Sequence, residues 1–324
     1  MPRLLAALLL LAALGAPARA ADRITFGTDW LAEAEHGGFY QALADGAYAR
    51  AGLEVVIKQG GPQVNTPLLL ATGFYDFAII SNDSQALNLV REGSPYVIVA
   101  AFFQKDPDIL MAHKEAGFAS PADMKGHPVL IASAAWDSFW KFLVVKFGFT
   151  NDQGRPYTFN LAPFLADKKL IQQGYLTSEP FTARAAGADP AVFLLADYGY
   201  SSYATMVMTS RKLVAEKPDL VQRFVDASIL GWRSFMHGDN AKAIDLITKD
   251  NPDYPRALAK QSVAAMNEHG IVESGDAQPL GIGAMTEARW KEFFDLMVAA
   301  GVYKPDLDWH AAYTLQFVNK GVGK

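Results

Sequence analysis

The sequence predicts an α/β protein of two lobes with a helical C-terminal part. Between residues 24 and 101, short runs typical of strands alternate with helical segments, as in parallel βαβ units. A second alternating unit begins after His113, and a further strand-like run returns at 205–209. Because the second unit interrupts the first, we expect two lobes joined by two crossover strands, near residues 108–113 and 202–208.

The first alternating unit supplies four predicted strands and the three helices between them. Strands are expected at 24–26, 54–58, 76–80 and 96–101, and helices from about residues 37, 65 and 84. Gly73 and Gly93 follow the last apolar residues of two of these helices. Glycine readily takes the left-handed conformation at a helix end, so both positions indicate helix stops.

The second unit also contains residues typical of helix starts and helix ends. Ser120, Pro121 and Asp123 have the order typical of a helix start, with proline at the first helical position and an acid near the third. The remaining segments are a strand at 128–132, a helix at 135–147 ended by Gly148, segments 157–160 and 164–173, a turn at 174–179, a helix at 180–186 and a final segment at 191–195.

After residue 209 the pattern becomes largely helical. Apolar residues recur every three or four positions, as at Leu220, Phe224 and Leu230. Helices are expected at 219–236, 241–248, 255–267 and 286–299. We therefore expect lobe 1 to comprise residues 21–110 and 206–324, and lobe 2 to comprise residues 111–205.

Residues 1–20 are typical of a cleavable export signal. Arg3 gives a positive start, residues 4–14 are apolar, and Ala18-Arg19-Ala20 offers small residues for cleavage. The apolar run is shorter than the roughly 20 residues of a membrane-spanning helix. We expect a periplasmic protein of a Gram-negative cell that does not insert into the membrane after signal cleavage.

Composition excludes several classes of protein. Cleavage at residue 20 removes two arginines from the 29 basic residues, so the mature net charge is 27 − 34 = −7. An acidic chain without a basic tract is not expected to bind nucleic acid. The absence of cysteine excludes disulfides, thiolate metal sites and a lipid anchor on cysteine. We expect a monomer.

Candidate ligand-binding residues follow from the predicted sheet, because ligands of open α/β sheets bind beyond the carboxyl ends of the strands. The loops at those ends contain aromatic rings and hydrogen-bond acceptors suited to a flat heterocycle with N–H donors. The candidates are Asp29, Trp30, His36, Asn65, Asn82, Asp83, Phe103, Trp136 and Glu179.

Several of these candidates also have a structural interpretation. Trp30 and Trp136 could pack in the core, and His36 or Glu179 could serve a helix start. The polar run 81–84 is foremost a helix N-cap. Glu33, Glu35 and His36 lack the spacing of a zinc site, and motifs of hydrolases, nucleotide-binding loops and metalloproteases are absent. We predict no catalytic residue, metal or cofactor.

The chain resembles periplasmic binding proteins of the branch that takes thiamine pyrimidine precursors, sulfonates, nitrate or taurine. The resemblance covers nearly the whole mature chain and is most specific at 29–30, 36–40, 60–65, 103–107, 174–180 and 281–286. It implies a type II periplasmic binding protein fold and delivery of the ligand to an ABC permease. It also implies that Trp30, His36 and Glu179 contact a pyrimidine.

Two alternatives stay open. The same fold could bind an anion, but the predicted loops offer Lys105 beside Asp29, Asp83 and Glu179. The family that the chain resembles also includes a eukaryotic enzyme that forms the thiamine pyrimidine from its own active-site histidine, and His36 matches that histidine's place in the pattern. That enzyme uses iron and a cysteine-rich segment, whereas this chain has no cysteine. The sequence therefore favours a receptor for a small heteroaromatic ligand.

Overall fold

A computed structural model describes residues 20–61 and 64–324. The predicted signal peptide, apart from Ala20, lies outside the described residues, as do Pro62 and Gln63 of the predicted 60–65 loop. The described strands are β1 (Asp22–Gly27), β2 (Leu53–Lys58), β3 (Phe77–Asn82), β4 (Tyr96–Phe103), β5 (Asp108–His113), β6 (Val129–Ile131), β7 (Gly154–Pro156), β8 (Ile171–Tyr175), β9 (Pro190–Leu194) and β10 (Ala204–Ser210).

These strands form two mixed sheets of five strands each, in the orders β2-β1-β3-β10-β4 and β7-β6-β8-β5-β9. In the first sheet β1 runs parallel to β2 and β3, as the βαβ pattern predicts. β10 returns from the second sheet and is antiparallel to both neighbours. In the second sheet β5 likewise runs antiparallel to β8 and β9. The predicted α/β class with two lobes is confirmed.

The chain crosses between the sheets at segments that differ from the prediction. Every residue of β5 lies in the second sheet, and β10 lies in the first, so the crossings occupy 104–107 and 195–203. A strand satisfies its backbone hydrogen bonds along its length within one sheet, so the chain crosses before pairing begins. The Arg289 guanidinium donates to the carbonyls of Ser201 and Gln104, one in each crossing segment.

Helices cover the sheets and account for the long C-terminal part. They are α1 (Gly37–Ala44), α2 (Ala47–Arg50), α3 (Thr66–Ala71), α4 (Asp83–Arg91), α5 (Phe139–Phe147), α6 (Ala162–Ala166), α7 (Glu179–Ala185), α8 (Arg211–Glu216), α9 (Pro218–His237), α10 (Ala241–Asp250), α11 (Arg256–Glu268), α12 (Ala277–Leu280) and α13 (Glu287–Ala299). Within the described residues, no helix combines the length and apolarity needed to cross a bilayer.

The contact between α1 and α9 explains the Gly37-Gly38 pair. A Cβ atom on Gly38 would lie 2.1 Å from the Trp232 ring, and one on Gly37 would lie 2.1 Å from the Phe235 ring. A Cβ on Gly231 would in turn lie 2.2 Å from the Gly38 carbonyl oxygen. Glycine on both helices therefore allows the close approach that buries these rings and holds the loop before α1 in place.

The predicted turn at 174–179 is shorter in the structure. β8 continues through Gly174 to Tyr175, and α7 already begins at Glu179. The segment 157–160 forms a loop after β7, and Phe159 there has a φ of 59°. Such a conformation is unusual for a bulky residue and lies beyond what composition can predict.

Candidate functional site

A cavity of about 260 Å³ lies between the two sheets. It is lined by loops that follow β1 and β3 of the first sheet, and by loops that follow β6, β7 and β8 of the second. The volume lies below the roughly 300–1,000 Å³ of typical drug-sized ligand pockets, which suits a small ligand. The predicted residues Asp29, Trp30, His36, Asn82 and Glu179 all line this cleft.

The loop that carries Asp29 and Trp30 is fixed by local hydrogen bonds. The Thr28 hydroxyl donates to the Trp30 carbonyl at 2.7 Å, and the Gly60 N–H donates to the same carbonyl at 2.9 Å. A Cβ atom on Gly60 would lie 2.3 Å from the Thr28 carbonyl oxygen. Only glycine fits at this approach, so Gly60 sets the position of the Trp30 backbone.

Asp29 is held by two partners within the cleft wall. His36 Nε2 lies 3.1 Å from Asp29 Oδ1, and the Ser81 hydroxyl donates to Asp29 Oδ2 at 2.6 Å. Burial raises the pKa of Asp29, but the hydrogen bonds and charge of His36 and the Ser81 bond outweigh it, so the pKa is lowered. Asp29 therefore stays ionised at neutral pH and presents negative charge to the cleft.

Three aromatic rings meet across the cleft and form what we call the aromatic clamp: Trp30, Tyr157 and Phe159. The rings of Trp30 and Phe159 lie 5.2 Å apart between centroids, and those of Tyr157 and Phe159 are also 5.2 Å apart. Trp30 lies in the loop after β1 of the first sheet, whereas Tyr157 and Phe159 lie in the loop after β7 of the second sheet. Phe159 is 57% exposed, so its ring is available to a ligand.

Glu179 is oriented by its neighbours at the start of α7. The Tyr157 hydroxyl donates to Glu179 Oε1 at 3.1 Å, and the Tyr175 N–H donates to Oε2 at 2.7 Å. A Cβ atom on Gly174 would lie 2.9 Å from Glu179 Cβ, so glycine makes room for this side chain. Burial raises the pKa of Glu179 more than these bonds lower it.

Further acidic side chains line the same cleft. Burial, followed by the charges of Glu35, Glu179 and Asp29, raises the pKa of Glu33 well above its usual value. Burial also raises the pKa of Asp108, with the neighbouring carboxyl groups adding to the effect. Among the described residues that line the cleft there is no lysine or arginine. The cleft is therefore strongly acidic.

Four predicted residues lie outside the cleft, and each has a structural role instead. Asn65 accepts from the Leu68 N–H at 3.0 Å and caps α3. The buried Asp83 accepts from the Tyr203 N–H at 3.2 Å. The Phe103 ring packs at 5.5 Å from the Trp232 ring, and the Trp136 ring packs at 5.0 Å from the Trp140 ring. Helix capping thus describes Asn65 and ring packing describes Phe103 and Trp136, whereas Asp83 links α4 to the second crossing segment.

Lys105, the basic residue of the predicted loops, is likewise turned to another partner. Its Nζ atom lies 2.7 Å from Asp197 Oδ1 in the second crossing segment. Lys105 is not among the residues that line the cleft in the described part of the chain. The cleft thus lacks the one cation that the sequence offered to an anionic ligand.

The family follows from a match to residues 33–241, which is more than half of the 324-residue chain. The matching model is described as NMT1/THI5 like. The chain belongs to the NMT1/THI5-like family. The match begins at Glu33 in the loop after Trp30 and includes Glu179, so it contains most of the cleft.

Two relatives of this NMT1/THI5-like chain are named for the small molecules they bind. It is 25% identical over 317 residues to the riboflavin-binding protein RibY of Chloroflexus aurantiacus, covering 93% of this chain and 87% of the relative. It is 24% identical over 242 residues to the formylaminopyrimidine-binding protein of Halalkalibacterium halodurans, covering 70% and 71%.

Solved structures share the fold at low sequence identity. The periplasmic aliphatic sulphonate binding protein SsuA of Escherichia coli superposes with a TM-score of 0.66 at 11% identity, covering 86% of both chains. The desulfurization enzyme DSZB superposes with a TM-score of 0.56 at 14% identity, covering 91% of this chain and 97% of that one. The chain therefore has the periplasmic binding protein fold, which occurs in both receptors and an enzyme.

The NMT1/THI5-like cleft contains residues that sequence reasoning did not select as ligand contacts: Glu33, Glu35, Asp108, Tyr157 and Phe159. The density of acidic residues around His36 is the sequence signal that points to Glu33 and Glu35. Within the described residues, no three histidine or acidic side chains are placed to hold a metal ion.

Proposed function

We propose that this protein is a periplasmic solute-binding protein that captures a small nitrogen heterocycle resembling a pyrimidine thiamine precursor. The ligand binds between lobe 1 (residues 21–110 and 206–324) and lobe 2 (residues 111–205). The closed, monomeric receptor then delivers it to an ABC permease. An export signal at residues 1–20 brings the protein to the periplasm.

The aromatic clamp beside Glu179 is the observation that supports this ligand class. On this proposal the rings of Trp30 and Phe159, which contact each other with centroids 5.2 Å apart, move apart to hold a flat ring between them. Glu179 lies next to the clamp because the Tyr157 hydroxyl donates to it. Its carboxylate accepts from an exocyclic amine, while Asn82 and the free Nδ1 of His36 serve other polar atoms of the ring.

The names of the two relatives agree with this proposal. Riboflavin and formylaminopyrimidine both contain nitrogen heterocycles, although they differ in size. The cavity of about 260 Å³ favours the smaller ring system.

An anion receptor is the second candidate, and the electrostatics of the cleft count against it. SsuA is named as a sulphonate-binding protein, but it shares only the fold with this chain. A sulfonate or nitrate needs cationic or backbone donors, whereas this cleft presents an ionised Asp29 beside several other carboxyl groups. An anion would therefore be repelled.

An enzymatic role is the third candidate, since DSZB is an enzyme with this fold. The chain contains no cysteine, so neither a thiolate nucleophile nor a cysteine-rich metal segment is present. His36 Nε2 lies 3.1 Å from Asp29 Oδ1, a contact that fixes the imidazole ring in either role. A receptor without catalytic residues is the simpler account.

A thermal-shift screen of residues 21–324 tests the proposal. The panel contains aminopyrimidines, flavins, taurine and nitrate. Ligand at 100 times its Kd stabilises the native state by about 2.7 kcal/mol, which is readily measured. We expect an aminopyrimidine to give the largest shift, and a largest shift with taurine or nitrate would reject the heterocycle.

Aromatic variants show whether binding uses the clamp. Trp30→Ala and Phe159→Ala should abolish the shift, because each removes one face of the ring site. Phe74→Ala is the matched control, since Phe74 is 56% exposed, close to the 57% of Phe159, and does not line the cleft. Equal shifts in all three variants would place the ligand elsewhere.

A further inference from the structure

Six acidic side chains line the cleft, which is more than a neutral heterocycle requires. Asp137 is exposed at the rim, and the other five, which are buried or half-buried, are Asp29, Glu33, Glu35, Asp108 and Glu179. Their charges act on one another: Glu33 is affected by Glu35, Glu179 and Asp29, and Asp108 by Glu179. His36 is the only basic residue among the described lining residues.

The internal partners of these groups are unevenly distributed. Asp29 has His36 and Ser81, and Glu179 has the donors of Tyr157 and Tyr175. Basic residues thus offset at most one of the five inner carboxyl groups. The other inner carboxyl groups include Asp108 and, on the short segment between Trp30 and α1, Glu33 and Glu35. Burial and neighbouring carboxyl groups raise the pKa of Glu33 and Glu35, so their surroundings disfavour a negative charge that no cation offsets.

Glu35 carries a buried oxygen with no internal partner. Its side chain is only 3% exposed, and the Thr177 hydroxyl donates to Oε1. Glu35 Oε2 has no hydrogen-bond partner among the described residues, although Glu35 lines the cleft. The large majority of buried polar side-chain atoms in proteins are hydrogen-bonded, so an unpaired acceptor on a residue that lines the cleft can receive a donor from a ligand.

We propose that the ligand binds as an organic cation, with a protonated amine that donates to Glu35 Oε2 beside Glu33. This inference rests on the proposed function and extends it, since the aromatic ring still occupies the clamp. An ammonium group has three donors and no acceptor, which matches a wall of carboxylate oxygens. Its charge also offsets the mutual repulsion of the carboxyl groups, which a neutral hydroxyl cannot do.

A metal ion is a poorer occupant of this position. Within the described part of the chain, no three histidine or acidic side chains come close enough together to hold one. Of the two described residues Glu33 and Glu35, Glu35 alone has an oxygen that is both buried and without a hydrogen-bond partner. A ligand that carries its own donors needs only this acceptor and the nearby negative charge.

A charge series on one ring tests the proposal by calorimetry at pH 7.5. The probes are 4-aminopyrimidines that carry an aminomethyl, a hydroxymethyl or a carboxymethyl group at C5. The wild-type mature protein should bind the aminomethyl compound roughly tenfold or more tightly than the hydroxymethyl compound, because a charge-assisted bond replaces a neutral one. The carboxymethyl compound should bind most weakly.

The variant Glu35→Gln tests whether the preference for the aminomethyl compound depends on the charge of Glu35. The variant should lose the preference for the aminomethyl compound while its affinity for the hydroxymethyl compound stays within about twofold, because glutamine keeps the shape and removes the charge. Glu54→Gln is the control, since Glu54 lies on β2 outside the cleft with a side chain 61% exposed. Circular dichroism verifies folding, and the wild-type charge series decides the question if Glu35→Gln does not fold.

The outcomes separate this inference from the proposed function. Equal affinities for the aminomethyl and hydroxymethyl compounds would be consistent with a receptor for heterocycles but would reject the proposal that the ligand is a cation. Binding of 1,4-diaminobutane in a Glu35-dependent manner, without binding of any pyrimidine, supports the cation and overturns the heterocycle. Tightest binding of the carboxymethyl compound, or binding of none of the cationic probes at millimolar concentration, overturns the cation.

Discussion

Glu179→Gln removes one charge from the centre of the cleft with little change in shape. Glu179 receives the Tyr175 N–H at 2.7 Å and the Tyr157 hydroxyl at 3.1 Å, and its other lone pairs remain for a ligand. Glutamine keeps a carbonyl oxygen for Tyr175, and its amide group can donate to the Tyr157 oxygen. The side chain should therefore stay in position while the carboxylate is lost.

The magnitude follows from the hydrogen bond to the ligand. A bond to a charged group contributes about 1.5–3 kcal/mol, so the variant should bind roughly ten- to a hundredfold more weakly. The thermal stability of Glu179→Gln should not fall together with its affinity for the ligand. Burial raises the pKa of Glu179, which means that the native state disfavours its charge, and a neutral isostere should melt at the same temperature or higher.

Calorimetry with the best ligand of the screen measures the affinity, and scanning calorimetry measures the melting temperature. Glu115→Gln is the matched control, because Glu115 also lies in predicted lobe 2 but its side chain is 63% exposed and outside the cleft. An unchanged or improved affinity in Glu179→Gln would refute the role of this carboxylate. Weaker binding accompanied by a large fall in melting temperature would attribute the loss to misfolding.

Three further predictions address the loop, the acidic cleft and export. Gly60→Ala should weaken ligand binding by about tenfold or more with the fold retained by circular dichroism, because the added Cβ displaces the Trp30 loop; unchanged affinity would show that the loop adapts. The ligand-free protein should melt at a lower temperature as pH rises from 5 to 8, because the raised pKa values of Glu33 and Glu35 make the native state bind more protons than the unfolded state. Glu33→Gln should make the melting temperature depend less on pH. A melting temperature that rises from pH 5 to 8 would contradict the raised pKa values of Glu33 and Glu35. Intact mass of the periplasmic protein should correspond to a chain that begins at Ala21, and an uncleaved or lipidated species would contradict export by this signal.

The sheets and long helices could be predicted because their patterns are local. The run that predicts a strand at 54–58 matches β2 at Leu53–Lys58, and the periodic segment 219–236 matches α9 at Pro218–His237. The crossing segments could not be located in this way. Their positions depend on which sheet pairs with each strand, and on Arg289, which is far from both in sequence.

The site could be predicted only in part, for a related reason. Asp29 and Trp30 follow a strand directly, so strand order alone places them at the cleft. Trp136 follows β6 in the same manner, but its ring turns towards Trp140 and covers Gly154. Phe159 reaches the cleft through a left-handed backbone conformation that no sequence pattern specified. Strand order fixes where a loop lies, whereas side-chain packing decides where its rings point.

A crystal structure of the mature protein with the strongest ligand from the screen would show whether the ligand binds as proposed. We expect a planar ring against Trp30 and Phe159, with an amine nitrogen within about 3.2 Å of a Glu179 carboxylate oxygen. A ligand bound outside the clamp would contradict this expectation. So would an anion held in the cleft by backbone N–H groups.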